Sequence, residues 1–97
     1  MVHKINLLQM ENAVLAFCYE GPMKIGTLAI STPGLRDGAV GTSSVLLGGK
    51  YLIAARALAE RAAAIFSKMS LISLNTSLSE GEALRIYAGL LEKVRSP

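Results

Sequence analysis

The stretch from Thr42 to Asn75 reads as strand, glycine turn, helix, strand, and the rest of the chain has to fit around it. Thr42-Ser43-Ser44-Val45-Leu46-Leu47 is followed by Gly48-Gly49, an alanine-rich helix from about Lys50 to Lys68, and the apolar run Ser70-Leu71-Ile72-Ser73-Leu74-Asn75. Such a unit ordinarily sets its two strands parallel in one sheet, with the helix packed on one face through a right-handed connection. The segments before it read as antiparallel hairpin, and the segment after it as one more helix. The expected fold class is α+β: antiparallel hairpins, then a β-α-β-α unit, with the helices packed on the sheet. A chain of 97 residues has room for a single domain, 1–97, with one modest core.

Upstream, residues 4–10 alternate, with Ile5 and Leu7 on one face and Lys4, Asn6 and Leu8 on the other, as in an edge strand. The run Ala13 to Tyr19 is apolar on both faces, so both need a cover: a helix of this chain, or a sheet of a partner chain. Gly21-Pro22 makes a turn into a third strand, Lys24 to Ser31, in which Gly26 marks a bulge or a close approach of another backbone. Residues 35–41 read as an exposed glycine-rich loop, either a plain flexible connection or a carrier of contacts, with Leu35 and Val40 the candidates for a partner.

On the central helix, Tyr51, Ala54, Ala55, Leu58, Ala62, Ile65, Phe66 and Met69 share one broad face, and Arg56, Glu60, Ser67 and Lys68 the other. Arg56 and Glu60 are spaced for an i,i+4 ion pair. Ile53, Ala57 and Ala64 make a small apolar seam outside the main face, a candidate interface strip. The helix also holds the whole net charge of +3, through Lys50, Arg56, Arg61 and Lys68 against Glu60. That excess is either a solvated face or, with Arg56 and Arg61, a basic ridge for an acidic partner. Small side chains let a helix lie close to a sheet or to its own copy across a two-fold axis. The last helix opens on a capping box, Ser79 with Glu82, and runs to about Val94, with Ala83, Leu84, Tyr87, Leu91 and Val94 inward.

Chemistry is harder to find. Gly48-Gly49-Lys50 lacks the spacing of a phosphate loop, since Tyr51 follows Lys50 and no third glycine completes a dinucleotide fingerprint. The basic residues do not cluster as phosphate binding requires, so nucleic acid is not expected. Cys18 lies in an apolar strand, His3 near a terminus, and no two candidate groups are forced together by spacing. No enzyme activity, catalytic residue, metal or cofactor is expected. No run of eighteen apolar residues and no signal-peptide pattern appears, so a cytosolic chain without membrane contact is expected. Yet 52% of the residues are hydrophobic and only 18% charged, the mark either of a compact, thermally robust domain or, the reading we prefer, of apolar surface that forms a protein interface.

The succession Thr42-x-x-Val45-Leu46-Leu47-Gly48, helix, Leu71-Ile72-Ser73-Leu74-Asn75, then Ser79-Glu80-Gly81-x-Ala83-Leu84 is similar to the C-terminal half of the proteasome-assembling chaperones numbered three and four. The likeness covers roughly residues 26–94 and includes Gly26-Thr27-Leu28. It implies an ATP-independent chaperone whose antiparallel sheet is backed by helices, and which holds proteasome α-subunits during ring assembly. Members pair with a copy or a sister chain; for a chain this short, of the kind expected among archaeal relatives, a homodimer is the simpler inference. Thr42, Leu46, Leu47 and Gly48 match the family motif, which is structural, and no active residue carries over. A reading from a different class is a dimeric scaffold of the roadblock type that binds a GTPase or other complex; partner identity separates the two.

Overall fold

The computed structural model describes residues 2–33 and 43–95. Five strands and two helices follow in the order β1 (His3–Gln9), β2 (Ala13–Glu20), β3 (Thr27–Ser31), β4 (Ser43–Leu47), α1 (Leu52–Phe66), β5 (Met69–Asn75) and α2 (Glu80–Arg95). The α+β class holds, but the sheet is mixed. Its strand order is β1-β2-β5-β3-β4, with β2 and β5 parallel and the other neighbours antiparallel.

The hydrophobic pattern explains that order. β5 carries Ser70, Ile72 and Leu74 on one side and Leu71 and Ser73 on the other, small or apolar on both, and takes the central position. β1 and β4, with Lys4, Asn6, Ser43 and Ser44, take the two edges, where polar side chains reach water. β4 and β5 do point the same way in one sheet, as their link through α1 implies, but β3 lies between them. Likewise β2 does not form a hairpin with β3; residues 21–26 carry the chain over the end of β5. That passage is tight at Gly26, where an added Cβ would stand 2.1 Å from the carbonyl oxygen of Leu74. The close backbone approach expected there is real.

Both helices lie on one face. Register places Ile5 and Leu7, Val14, Ala16 and Cys18, Ile72 and Leu74, and Ala29 on the side of α1 and α2. They meet Ala54, Ala55, Leu58, Ala59 and Ala62 of α1 and Ala83, Tyr87 and Leu91 of α2, all buried. The alanines bring α1 down onto the sheet, close enough for the buried Ser70 hydroxyl to donate to the Ala59 carbonyl at 2.5 Å. Met69 belongs to β5 rather than to the helix, and Val94 is exposed at the end of α2, so neither is in the core. Ala59 and Ala63, absent from the expected inner face, are buried.

Helix ends differ from expectation at α1 and agree at α2. Tyr51, with a left-handed φ of 57°, holds the entry to α1, and its hydroxyl lies 2.7 Å from the Thr76 carbonyl and 2.6 Å from that of Leu78. The helix therefore begins at Leu52, and Ser67, also left-handed, ends it after Phe66. At α2 the Ser79 hydroxyl accepts from the Glu82 amide at 3.3 Å, the N-cap half of a capping box, and itself lies 3.3 Å from the Glu82 carboxylate.

Candidate interaction surfaces

Two surfaces remain after the core is accounted for. The first is the face of the sheet opposite the helices. Strand alternation sends Leu8, Ala13, Leu15, Phe17, Tyr19, Leu28, Ile30 and Leu71 to that side, and the register aligns Leu8 with Leu15, Leu15 with Leu71, and Ile30 with Leu71. A shift between Leu28 and Ala29 adds a residue to β4, so Leu47 faces Leu28 on the same side. Connection 21–26 shields the upper part: the Met23 sulfur accepts from Asn6 Nδ2 at 3.2 Å, the Gly26 amide donates to Ser73 Oγ at 3.0 Å, and Tyr19 and Ser73 are buried. No described helix covers the rest. Leu8 is 54% exposed and Leu47 58%, while Leu15, Phe17, Leu28, Ile30 and Leu71 are half-buried. Lys4, on an edge strand, is the single charged strand residue on this face among the described residues.

The run 13–19, apolar on both faces, is thus covered by this chain on one side only. Sequence reading singled out that run but not the individual open-face residues as candidate contacts. The signal was present in the two-sided apolar pattern of β2; what it lacked was the strand order that brings Leu71, Leu28 and Ile30 beside it.

The second surface is the solvent side of the helices. Ile53 (71% exposed), Arg56, Arg61 and Ala64 are exposed and Ala57 is half-buried, which places these residues on the outer side of α1. An open groove of about 840 Å³ runs between it and α2, where Leu84, Arg85 and Ala88 face Ala57, Arg61 and Ala64. The α2 side of this groove was not foreseen, since nothing local marks which helix faces adjoin. Arg56 and Glu60 do not pair directly: the Ser43 hydroxyl stands between them, donating to the Glu60 carboxylate and accepting from Arg56 Nε at 3.3 Å. Leu35, Val40 and Thr42 lie outside the described residues. Leu46 is exposed. Gly48 sits at φ 109°, with an added Cβ falling 2.7 Å from Thr27 Oγ1, so the turn into α1 requires glycine there.

The start of α1 carries a carboxylate. Glu80 Oε2 accepts from the Ile53 and Ala54 amides at 2.8 and 2.9 Å, filling the position where a helix N-terminus would hold an anion. Nearby, Glu20 accepts from the Thr76 hydroxyl and from the amide and hydroxyl of Ser77; these bonds, with the amide at 2.8 Å, lower its pKa from the usual carboxylate range. His3 Nδ1 lies 3.3 Å from the Tyr87 hydroxyl and 3.9 Å from Glu20. Cys18 is buried, and burial pushes its thiol up to about 12, so it stays protonated and a poor nucleophile at neutral pH. Among the described residues no three His, Cys, Asp or Glu gather as metal ligands, and no helix is long and apolar enough to cross a membrane.

Fold and surfaces define a class: a two-layer α+β domain with one sheet face under helices and the other open and apolar. A scan against protein-family models and searches of curated proteins and of solved structures found no match to this chain.

Proposed function

We propose that this chain is a protein-interaction module, a homodimeric, ATP-independent assembly chaperone whose clients are proteasome α-subunits. The observation that carries the reading is the open sheet face, apolar over four neighbouring strands and almost free of charge. Five strands ~4.8 Å apart and about 20 Å long give the whole sheet a flat footprint of roughly 500 Å², of which residues 21–26 cover the upper part. Side-chain relief raises this towards the ~800 Å² per partner of a standard stable interface. A face without charge is complementary to another like itself, and a two-fold axis supplies that surface from a second copy. Pairing sheet to sheet gives each half of β2 the second cover that its pattern calls for and leaves the helices turned outward.

The client assignment rests on the likeness of residues 26–94 to the proteasome-assembling chaperones. Titration of the purified chain against purified α-subunits, with a small GTPase as control, tests it. Binding to α-subunits at micromolar concentration and not to the GTPase is expected. No binding to α-subunits overturns the client assignment, and binding to the GTPase alone favours a scaffold of the roadblock type.

A further inference from the structure

The groove between α1 and α2 has features that neither the sheet face nor core packing uses. Because Glu80 at the start of α2 binds the first-turn amides of α1, both helices begin at the same end of the sheet and lie side by side. Their facing outer positions are small, Ala57 and Ala64 on α1 and Ala88 on α2, so the space between them opens as a trough of about 840 Å³. A second depression of about 300 Å³ shares Ala57 and Glu60 with the trough and extends it to the exposed Ile53. From Ile53 to Ala64 the strip takes eleven residue steps, roughly 16 Å of helix. That length matches about three turns of a helix laid against it.

Charge selects the occupant. Arg61 and Arg85 stand on opposite walls, both exposed and neither within ion-pairing distance of a described carboxylate. Glu60 and Glu92 also line the groove and keep their charge, but each has a partner within the chain, Glu60 through the Ser43 hydroxyl, which also receives Arg56, and Glu92 by an interaction of its own. Two guanidinium groups thus flank an alanine-lined trough with their planar donors free for carboxylates. Alanines permit a close interhelical approach, and two helices side by side offer a groove to a third helix, whereas an added strand would find no backbone edge here.

We propose that this groove is a docking site for an acidic amphipathic helix of another protein, with apolar side chains over Ala57, Ala64 and Ala88 and carboxylates reaching Arg61 and Arg85. The site does not depend on which protein is the client. It is tested on the intact, isotope-labelled chain by amide NMR titration with a synthetic helical peptide bearing a leucine-alanine stripe flanked by glutamates, and with its counterpart in which every glutamate is lysine. The acidic peptide is expected to shift the amides of Ala57, Arg61, Ala64 and Ala88 and to lose affinity at high salt. The double variant R61E/R85E should weaken the acidic peptide by at least about tenfold and take up the lysine peptide instead. Both arginines are exposed, and unchanged spectral dispersion reports that the variant is folded; Ala64→Glu, which fills the trough, is the second variant and should weaken the acidic peptide as well. Equal response to the two peptides, shifts that map to the sheet face, or no shift at millimolar peptide overturns the proposal. So does movement of the same amides on dilution without peptide, which would mean that a second copy fills the groove.

Discussion

At Gly26 one hydrogen atom decides whether the β2–β3 connection can cross the end of β5, because any Cβ there would sit 2.1 Å from the Leu74 carbonyl oxygen. The clash is with backbone and cannot be relieved by a rotamer change, so Gly26→Ala is expected to destabilise the fold by about 3 kcal/mol or more. Gly89 offers the opposite case. It lies within α2 with nothing within 4 Å of an added Cβ, so Gly89→Ala should stabilise by roughly 0.5–1 kcal/mol. Urea unfolding of the two variants against the parent checks both signs. Of these contacts the sequence flagged the one at Gly26, leaving a bulge and a close approach open; the strand begins only at Thr27, and the close approach is what the structure has. The sequence hid the fate of Arg56 and Glu60, since helical spacing alone cannot anticipate a hydroxyl arriving from β4.

Cys18 sets a pH limit at the same level. Its thiol is raised from 9.0 to about 12 by burial, so the folded state keeps the proton longer than the unfolded chain. The contribution is fully present below pH 9 and is lost as pH rises towards 12. Burial also raises the pKa values of Tyr51 and Tyr87, which act in the same direction at higher pH. Denaturant midpoints measured across the alkaline range should fall, and Cys18→Ala should flatten the fall between 9 and about 12.

Among the elements, α1 depends on α2 for its beginning. Tyr51 makes no side-chain cap for it, and the first turn of α1 contains no acidic residue; the carboxylate arrives from Glu80, twenty-six positions beyond Ala54. Glu80→Ala is expected to cost about 1 kcal/mol, as loss of a cap does, and to speed amide exchange at Ile53 and Ala54 while the body of α2 stays protected. The cap of α2 itself was legible, because Ser79 and Glu82 lie within one turn of each other. Strand identity was legible in the same way: β1, β2 and β5 appear within two residues of their expected bounds. Strand order was not. Periodicity marks which residues share a face, but the choice of β5 as centre and β4 as edge depends on which pairings bury the most apolar surface, and that is a property of the whole sheet.

For the whole molecule the open sheet face is the decisive feature. A single copy leaves Leu15, Phe17, Leu28, Ile30 and Leu71 half-buried around the half-shielded centre of the sheet, one contiguous apolar patch flanked by the exposed Leu8 and Leu47. The proposed sheet-to-sheet pairing would remove it, and Lys4, the one charged strand residue there among the described residues, sits on an edge strand rather than at the centre. The helical groove with Arg61 and Arg85 would then face outward on each copy. In the sequence, the apolar excess and the two-sided pattern of residues 13–19 marked apolar surface in want of a cover. Which face would be left open depended on both helices choosing the same side, which no local pattern states.

Light scattering coupled to size exclusion tests the dimer at its root. At tens of micromolar the chain should elute at about twice its 10.3 kDa mass, and Leu71→Glu, which puts a charge at the centre of the open face, should elute as a folded monomer with unchanged helical circular dichroism. A parent chain that stays at 10.3 kDa under those conditions, or a Leu71→Glu variant that remains a dimer, contradicts pairing through the sheet.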